Sequence, residues 1–514
     1  MRKLLLLPFL LCRVAAIAQS TQTISPKYEF RAAWIASVDH IDWPSRAAAG
    51  NVALQKQEFI DLLDMHKRNG LNAVVVQIRP TADAFYPSPY EPWSAWLTGK
   101  QGLPPDPYYD PLAFMIAETH KRGMEFHAWI NPYRALYNSR KDIASVTHIT
   151  RLHPEWFLVY DNTTLFNPGE PAVWDYVTGV IRYIVHNYPV DAIHFDDYFY
   201  PYRVTGQVLA DQATYLKYNR GLDKETWRRS NVDSIIVHIG KAIKEENPYC
   251  KFGISPFGVW RNRYMDPEGS NTRGGQTDYD DLYADVLLWL QKGWIDYVAP
   301  QIYWERSHKL CSYDTLVNWW HDHSYERQLY IGIGLYKAGY NAAWRNPREL
   351  PEQIILSREL SDGCIYFSSQ NFVKNPNGWS DSLEYHYYKY PALVAPMPWI
   401  DRTVPPPPVV SSVRSGDSLR VSISADGARP VRLFLVYRVP AATAATAGSA
   451  GGGAPTGAAP TNTAPDDASL IYSEIAADPQ QKGSIALPLY GMAPGKWLVT
   501  EITVTNMESP PVQL

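Results

Sequence analysis

The chain has 514 residues, 46% hydrophobic and 19% charged, a composition that excludes an intrinsically disordered protein and is long enough for one large domain and a smaller one. Net charge is −4 with no long basic run, which excludes the electrostatics expected of a nucleic-acid or anionic-lipid partner. The compositional excess is aromatic, 18 Trp and 35 Tyr, and flat rings with polar edges suit hydroxylated ligands such as sugars as well as cores.

The chain opens with "MRKLLLLPFLLCRVAAIAQS": Arg2 and Lys3, an apolar run, then Ala16-Ile17-Ala18. This is the pattern of a secretory signal over residues 1–18, cleaved before Gln19. Cys12 is a weaker reading as a lipid anchor, because Leu11 precedes it where a lipoprotein signal places a small residue. No later apolar run reaches the ~18 residues needed to cross a bilayer. The expectation is an exported chain, periplasmic or at the cell surface, with no transmembrane segment. The remaining cysteines, Cys250, Cys311 and Cys364, are scattered and form no CxxC pair. They are expected as buried thiols rather than a disulfide framework or a zinc site.

From residue 31 to about 370, eight short apolar runs alternate with helix-like stretches. The runs are 31–37, 72–80, 124–132, 191–197, 251–258, 295–304, 329–336 and 363–369, rich in Val, Ile, Phe and Tyr and bounded by Gly, Pro or Asp. Between them, "YDPLAFMIAETHKRG" carries Asp110 at an N-cap, Pro111 at the first helical position and Gly123 past the end. "EPAVWDYVTGVIRYIVHN" places Val173, Tyr176, Val177, Val180, Ile181 and Ile184 on one stripe. "YDDLYADVLLWLQKG" repeats that pattern up to Gly293. Eight strands alternating with helices predict a (β/α)8 TIM barrel over residues 19–395, with long insertions at 132–170, 198–230 and 259–280. A doubly wound sheet is disfavoured because no Gly-rich phosphate loop follows the first strand.

Proline density over 396–408 predicts a stiff linker. Alternating segments at 418–425, 431–439, 469–476, 483–489 and 496–505 then predict a small β-sandwich, immunoglobulin- or fibronectin III-like, over 409–514. An Ala/Gly-rich low-complexity loop interrupts it at 441–467.

Polar residues at the C-terminal ends of barrel strands face one mouth. Those ends offer Gln77, Arg79 and Asp83, then His127, Trp129, Asn131 and Arg134. They continue with His194, Asp196, Asp197 and Tyr198, then Trp260, then Gln301, Tyr303, Trp304 and Glu305. Alternation along the fourth strand puts His194, Asp196 and Tyr198 on one face and turns Asp197 away. Two adjacent acids after an apolar run are costly unless a ligand rewards them. The best-matched chemistry is glycoside hydrolysis, which needs one carboxylate at the oxocarbenium centre and an acid at the leaving oxygen. Asp196 is the candidate for the first role. Glu305, Asp83 and Asp197 are the candidates for the second. Adjacent acids with His194 and His127 also resemble a divalent-ion site, but no third fixed ligand is evident, so neither metal nor cofactor is called for.

"RAAWIASVDHIDWPS", "NAVVVQIRPTADAFYPS", "FHAWINPYR", "LFNPGEP", "IHFDDYFYP" and "APQIYW" resemble the signature blocks of glycosyl hydrolase-like family 10, over about residues 29–395. The resemblance implies an exported bacterial barrel hydrolysing a glycosidic bond in cell-wall glycan, with denuded peptidoglycan strands as substrate. It carries over Arg79, Asp83, Asn131, Asp196, Asp197, Tyr198, Gln301 and Tyr303. His127, Trp260 and Trp304 are added as substrate contacts from their strand ends, and Glu305 as a catalytic candidate. A fainter echo of the chitinase fourth-strand pattern departs at Tyr198, where that pattern has its catalytic Glu. The partner is thus a glycan; hydrolysis of another polysaccharide, or glycan binding without catalysis, are the alternatives. Retaining, inverting or substrate-assisted chemistry and the oligomeric state are not set by a linear string.

Overall fold

The structure, a computed structural model, describes residues 26–441, 464–488 and 495–514. The expected signal at 1–18, Cys12, and most of the low-complexity loop lie outside the described residues. Eight parallel strands close a barrel: β1 (Phe30–Ile35), β2 (Ala73–Arg79), β3 (Glu125–Ile130), β7 (Ala192–Phe195), β8 (Lys251–Ile254), β9 (Tyr297–Val298), β10 (Gln328–Ile333) and β11 (Gly363–Tyr366). Each of the eight apolar runs contains a barrel strand, though the run 295–304 contributes only Tyr297–Val298. A three-stranded antiparallel sheet, β4 (Arg134–Leu136), β6 (Thr163–Phe166) and β5 (Phe157–Tyr160), fills the insertion after β3.

Strand alternation sorts two cores. Phe30, Ala32, Trp34, Ala73, Val75, Trp129, Ala192, Tyr297, Tyr330 and Ile365 fill the barrel interior. Their neighbours, such as Ala33, Ile35, Val74, Val76 and Ile193, face outward against the helices. Asp110 caps the helix Pro111–His120, its side chain accepting from Ala113 N–H at 3.0 Å. The helix Pro171–Asn187 buries Val173, Val177, Val180, Ile181 and Ile184 as its stripe predicts. The segment before Gly293 is shorter than expected. Only Val286–Lys292 is helical, because Asp285 caps it and Tyr283 adopts a left-handed conformation (φ 55°) that ends any earlier turn.

The C-terminal region holds two antiparallel sheets, one of β12 (Val409–Ser415), β13 (Ser418–Ser424) and β16 (Lys482–Pro488). The other comprises β15 (Ile471–Ala476), β14 (Val431–Pro440), β17 (Gly495–Thr503) and β18 (Val512–Gln513). "VRLFLVY" in β14 is apolar without alternation because both faces are covered. Phe434 and Val436 pack on Val421, Ile423 and Leu487 of the other sheet, while Leu433, Leu435 and Tyr437 cluster with Leu393 at the end of the barrel region.

The proline-rich stretch is docked rather than free. Met397 is buried in the barrel-interior cluster, and Trp399 donates its Nε1–H to Asp296 Oδ1 at 2.9 Å. Cys250, Cys311 and Cys364 are buried free thiols. Among the described residues no helix is long and apolar enough to cross a membrane.

Candidate active site

The barrel interior is polar along one line. Glu125 accepts from His127 Nε2 at 2.9 Å, and the Tyr297 hydroxyl lies 2.9 Å from Nδ1 of both His127 and His194. His194 Nε2 then meets Ser255 Oγ at 2.9 Å and Trp34 Nε1–H at 3.3 Å. Burial holds both imidazoles below their usual pKa, that of His194 well below, so both are neutral. Gly253 is required here: a Cβ would stand 1.9 Å from the Tyr297 ring.

Above this column, at the C-terminal mouth, a cavity of about 260 Å³ is lined by Trp34, Gln77, Trp129, Arg134, Asp196, Tyr198, Ser255, Gln301, Tyr303, Tyr336 and Phe367, among others. Asp196 is its one carboxylate. Trp129 Nε1–H and Asn131 Nδ2–H reach Asp196 Oδ2 at 3.2 and 3.4 Å, and Tyr198 N–H reaches Oδ1 at 3.3 Å. Burial pushes the Asp196 pKa up to about 6, against the opposing charge of Arg134 and these donors. Asp197 points away from the cavity, as alternation requires, and accepts a hydrogen bond from the Tyr202 hydroxyl on Oδ2. Burial, and then the charge of Asp196, pushes it up to about 7. These two values belong to the pair rather than to either acid. Gln301 donates to Ser255 O at 3.0 Å, and Tyr303 packs between Tyr336 and Phe367.

Arg79, Asp83, His127, Trp260, Trp304 and Glu305, expected to touch substrate or to act in catalysis, are placed elsewhere. Arg79 is fully buried in an ion pair with Glu91, and its Nη1 donates to Asn131 O, so it braces the loop that carries Asn131. Asp83 is buried against Gln101 (3.1 Å), with burial lifting its pKa to about 7. His127 lies beneath the cavity in the polar column. Trp260 stacks on Trp319 in the outer core, and Trp304 packs edge-on to Phe257. Glu305 accepts from Trp344 Nε1–H at 3.2 Å and lines neither mouth cavity. The alternation drawn through 301, 303 and 305 fails because β9 is only two residues long. Beyond Pro300 the chain touches its neighbours through single bridges at Gln301.

Three residues went unsingled in the sequence. Tyr202 stands five positions after Asp197 in an aromatic run that hinted at it. Ser255 was hidden in an apolar strand end. Asp278, in the 259–280 insertion, has no local signal. It is fully buried, accepts from Phe257 N–H at 3.0 Å through Oδ1, and burial and then Asp197 push its pKa well up. Among the described residues no group of three His, Cys, Asp or Glu side chains is arranged to hold a metal ion.

Residues 29–347 match the family described as glycosyl hydrolase-like 10. The chain belongs to this family. Among curated relatives it is 49% identical over 405 residues to the glycosyl hydrolase YngK of Bacillus subtilis (strain 168), covering 76% of this chain and 79% of the relative. It is 41% identical over 327 residues to the glycosyl hydrolase DigH of Escherichia coli (strain K12), covering 60% of this chain and 74% of that protein. Among solved structures, it is similar to the α-L-fucosidase isoenzyme 2 from Paenibacillus thiaminolyticus (TM-score 0.44, 13% identity, 70% of this chain and 49% of that one). Another is the glycoside hydrolase domain of PgaB (BpsB) from Bordetella bronchiseptica (TM-score 0.44, 12% identity, 70% of this chain and 98% of that one). As a member of the glycosyl hydrolase-like 10 family, the protein is a glycoside hydrolase with a glycan substrate.

Proposed function

We propose that this glycoside hydrolase cleaves amino-sugar glycan of the peptidoglycan type, as denuded strands, with Asp196 and Asp197 as its acid–base pair. The observation that carries the reading is that Asp196, alone among the carboxylates, lines the cavity at the C-terminal mouth while a second acid adjoins it out of the water. Two carboxyl groups whose apparent values are about 6 and about 7 share about one proton between those values, so the pair there offers both a carboxylate and an acid. Asp196 meets the anomeric centre, and the proton that the leaving oxygen requires is held behind it on Asp197, whose hydrogen-bond partner Tyr202 lines the adjoining cavity and carries the proton to it. Trp34, Trp129, Tyr303, Tyr336 and Phe367 supply apolar faces for sugar rings, with Gln77, Gln301 and Ser255 as polar partners.

Zymography on peptidoglycan with and without stem peptides, and on other polysaccharides, tests the substrate. Lysis of denuded strands only is the expected result; lysis of an unrelated polysaccharide with none of denuded strands removes the substrate assignment.

The pair also sets a pH profile. Activity on a soluble oligosaccharide should be bell-shaped with its maximum between the two apparent values, about 6 and about 7. Tyr202→Phe removes a donor to the ionised form of Asp197, so that form is stabilised less and the pKa rises. The alkaline limb should move up by roughly one unit, the worth of one hydrogen bond to a charged group. A downward shift or an unmoved limb would contradict Asp197 as the proton holder.

A further inference from the structure

A second cavity, about 190 Å³, adjoins the first. It is lined by Tyr133, Tyr160, Thr163, Leu165, Tyr202 and Val204 among others, and shares Arg134 and Tyr198 with the larger cavity. Arg134 and Tyr198 therefore form the ridge between two halves of one groove. The Arg134 guanidinium carbon sits over the Tyr198 ring, 4.1 Å from its centroid, and 5.8 Å from that of Tyr137. It opens β4, and Asn131 Oδ1 holds its backbone N–H at 3.0 Å. The placement is thus built by the loop that also positions Asp196.

The guanidinium is half-buried, yet no carboxylate lies within ion-pair distance of it among the described residues. Arg228, Arg261 and Arg306, on the same side of the barrel, are each neutralised by Asp or Glu within 3 Å. Asp196 and Asp197 feel the charge of Arg134 but make no ion pair with it. The groove also holds Asp196 in the larger cavity and Asp161 in the smaller, neither of them paired with Arg134, so a planar cation with donors to spare, stacked on an aromatic platform, is left to receive a planar anion from the ligand.

We propose that Arg134 is a specificity-determining residue that binds a carboxylate carried by the glycan across the two cavities. This rests on the glycan reading above and narrows it to an acidic saccharide. The carboxylate belongs either to an ether-linked acid substituent, free only when no peptide is attached to it, or to a uronic ring. A neutral chain leaves the cation unpaired.

The test compares wild type, Arg134→Gln and Arg134→Lys on three substrates: denuded peptidoglycan strands, the same strands with their carboxylates converted to amides, and a neutral chitooligosaccharide. Binding to each, and to polygalacturonate, is measured in an Asp196→Asn background so that recognition is read apart from turnover. Amidation should cost the wild type ~10–100-fold in kcat/KM, the effect of one charge-assisted hydrogen-bond pair. Arg134→Gln should lose the same factor on acid strands and no longer tell acid from amide, and Arg134→Lys should recover part of it. Binding of polygalacturonate that depends on Arg134 would assign the carboxylate to a uronic ring; dependence on denuded strands alone assigns it to the ether substituent. Equal treatment of acid and amide strands by the wild type overturns the proposal. So does an equal loss by Arg134→Gln on all three substrates, which would confine Arg134 to tuning Asp196. If no peptidoglycan strand is cleaved the function proposed above fails, while the acid-versus-amide binding comparison still decides Arg134.

Discussion

Asp196→Asn should abolish hydrolysis and leave the fold standing. A group acting by acid–base or electrostatic chemistry contributes at least ~10²–10⁴-fold, so kcat should fall by that much or more. Stability should change little, for opposing reasons. The amide cannot accept on both edges, so either Tyr198 N–H or the Trp129 and Asn131 donors lose an acceptor, costing about 1–3 kcal/mol. Against this, the carboxyl is already raised to about 6 by burial, and replacing it removes the cost of holding a charge out of water. Thermal unfolding within a few degrees of the wild type, with binding to glycan retained, is the expected outcome. Substantial turnover by the variant would remove Asp196 from the chemistry, and collapse of stability would make it a structural residue.

Glu125→Ala should have the largest effect on stability. Glu125 sits at the foot of the barrel interior, fully buried. It accepts from Lys251 Nζ at 2.7 Å, Arg432 Nη1 at 2.5 Å, His127 Nε2 at 2.9 Å and Asn506 Nδ2 at 3.0 Å. Arg432 comes from β14 and Asn506 from the turn between β17 and β18, so one carboxylate anchors both the interior polar column and the docking of the two regions. Truncation leaves two buried cations without an anion, at a cost of about 3–5 kcal/mol. Denaturant melts should show that loss, and limited proteolysis should cut near residue 400 faster than in wild type. Burial alone would raise the Glu125 pKa, but Lys251 and Arg432 outweigh it and hold it well below the usual carboxylate range. A depressed folded value means the contribution is complete above the unfolded pKa and lost as pH falls through the folded one. The wild type should therefore lose this contribution only in acid, and Glu125→Ala should lack that part of the acid dependence. An unchanged melt would show that the network stabilises nothing net.

Much of the molecule was written locally. Strand runs with period two, helix stripes, the Asp110 and Gly123 punctuation, and the non-alternating run of β14 each follow from which atoms avoid water in a short segment. Their alternation is enough to set a closed barrel followed by two sheets. The strand-four parity, Asp196 inward and Asp197 away, was legible for the same reason, since neighbouring side chains in a strand leave on opposite faces. Once the strand stopped, that rule stopped with it: Glu305 belonged to the pattern only while β9 was imagined to continue past Val298. Whether a polar side chain at a strand end meets ligand or protein depends on partners far away in the chain. Glu91 claims Arg79, Gln101 meets Asp83, Trp319 covers Trp260, and Asp278 arrives beside the acids from an insertion with no motif. Sequence by itself determined the barrel and its pivotal acid, because local burial and alternation do so; tertiary structure alone decided which neighbours those acids keep, because pKa and exposure are set by charges and walls brought together only when the barrel closes.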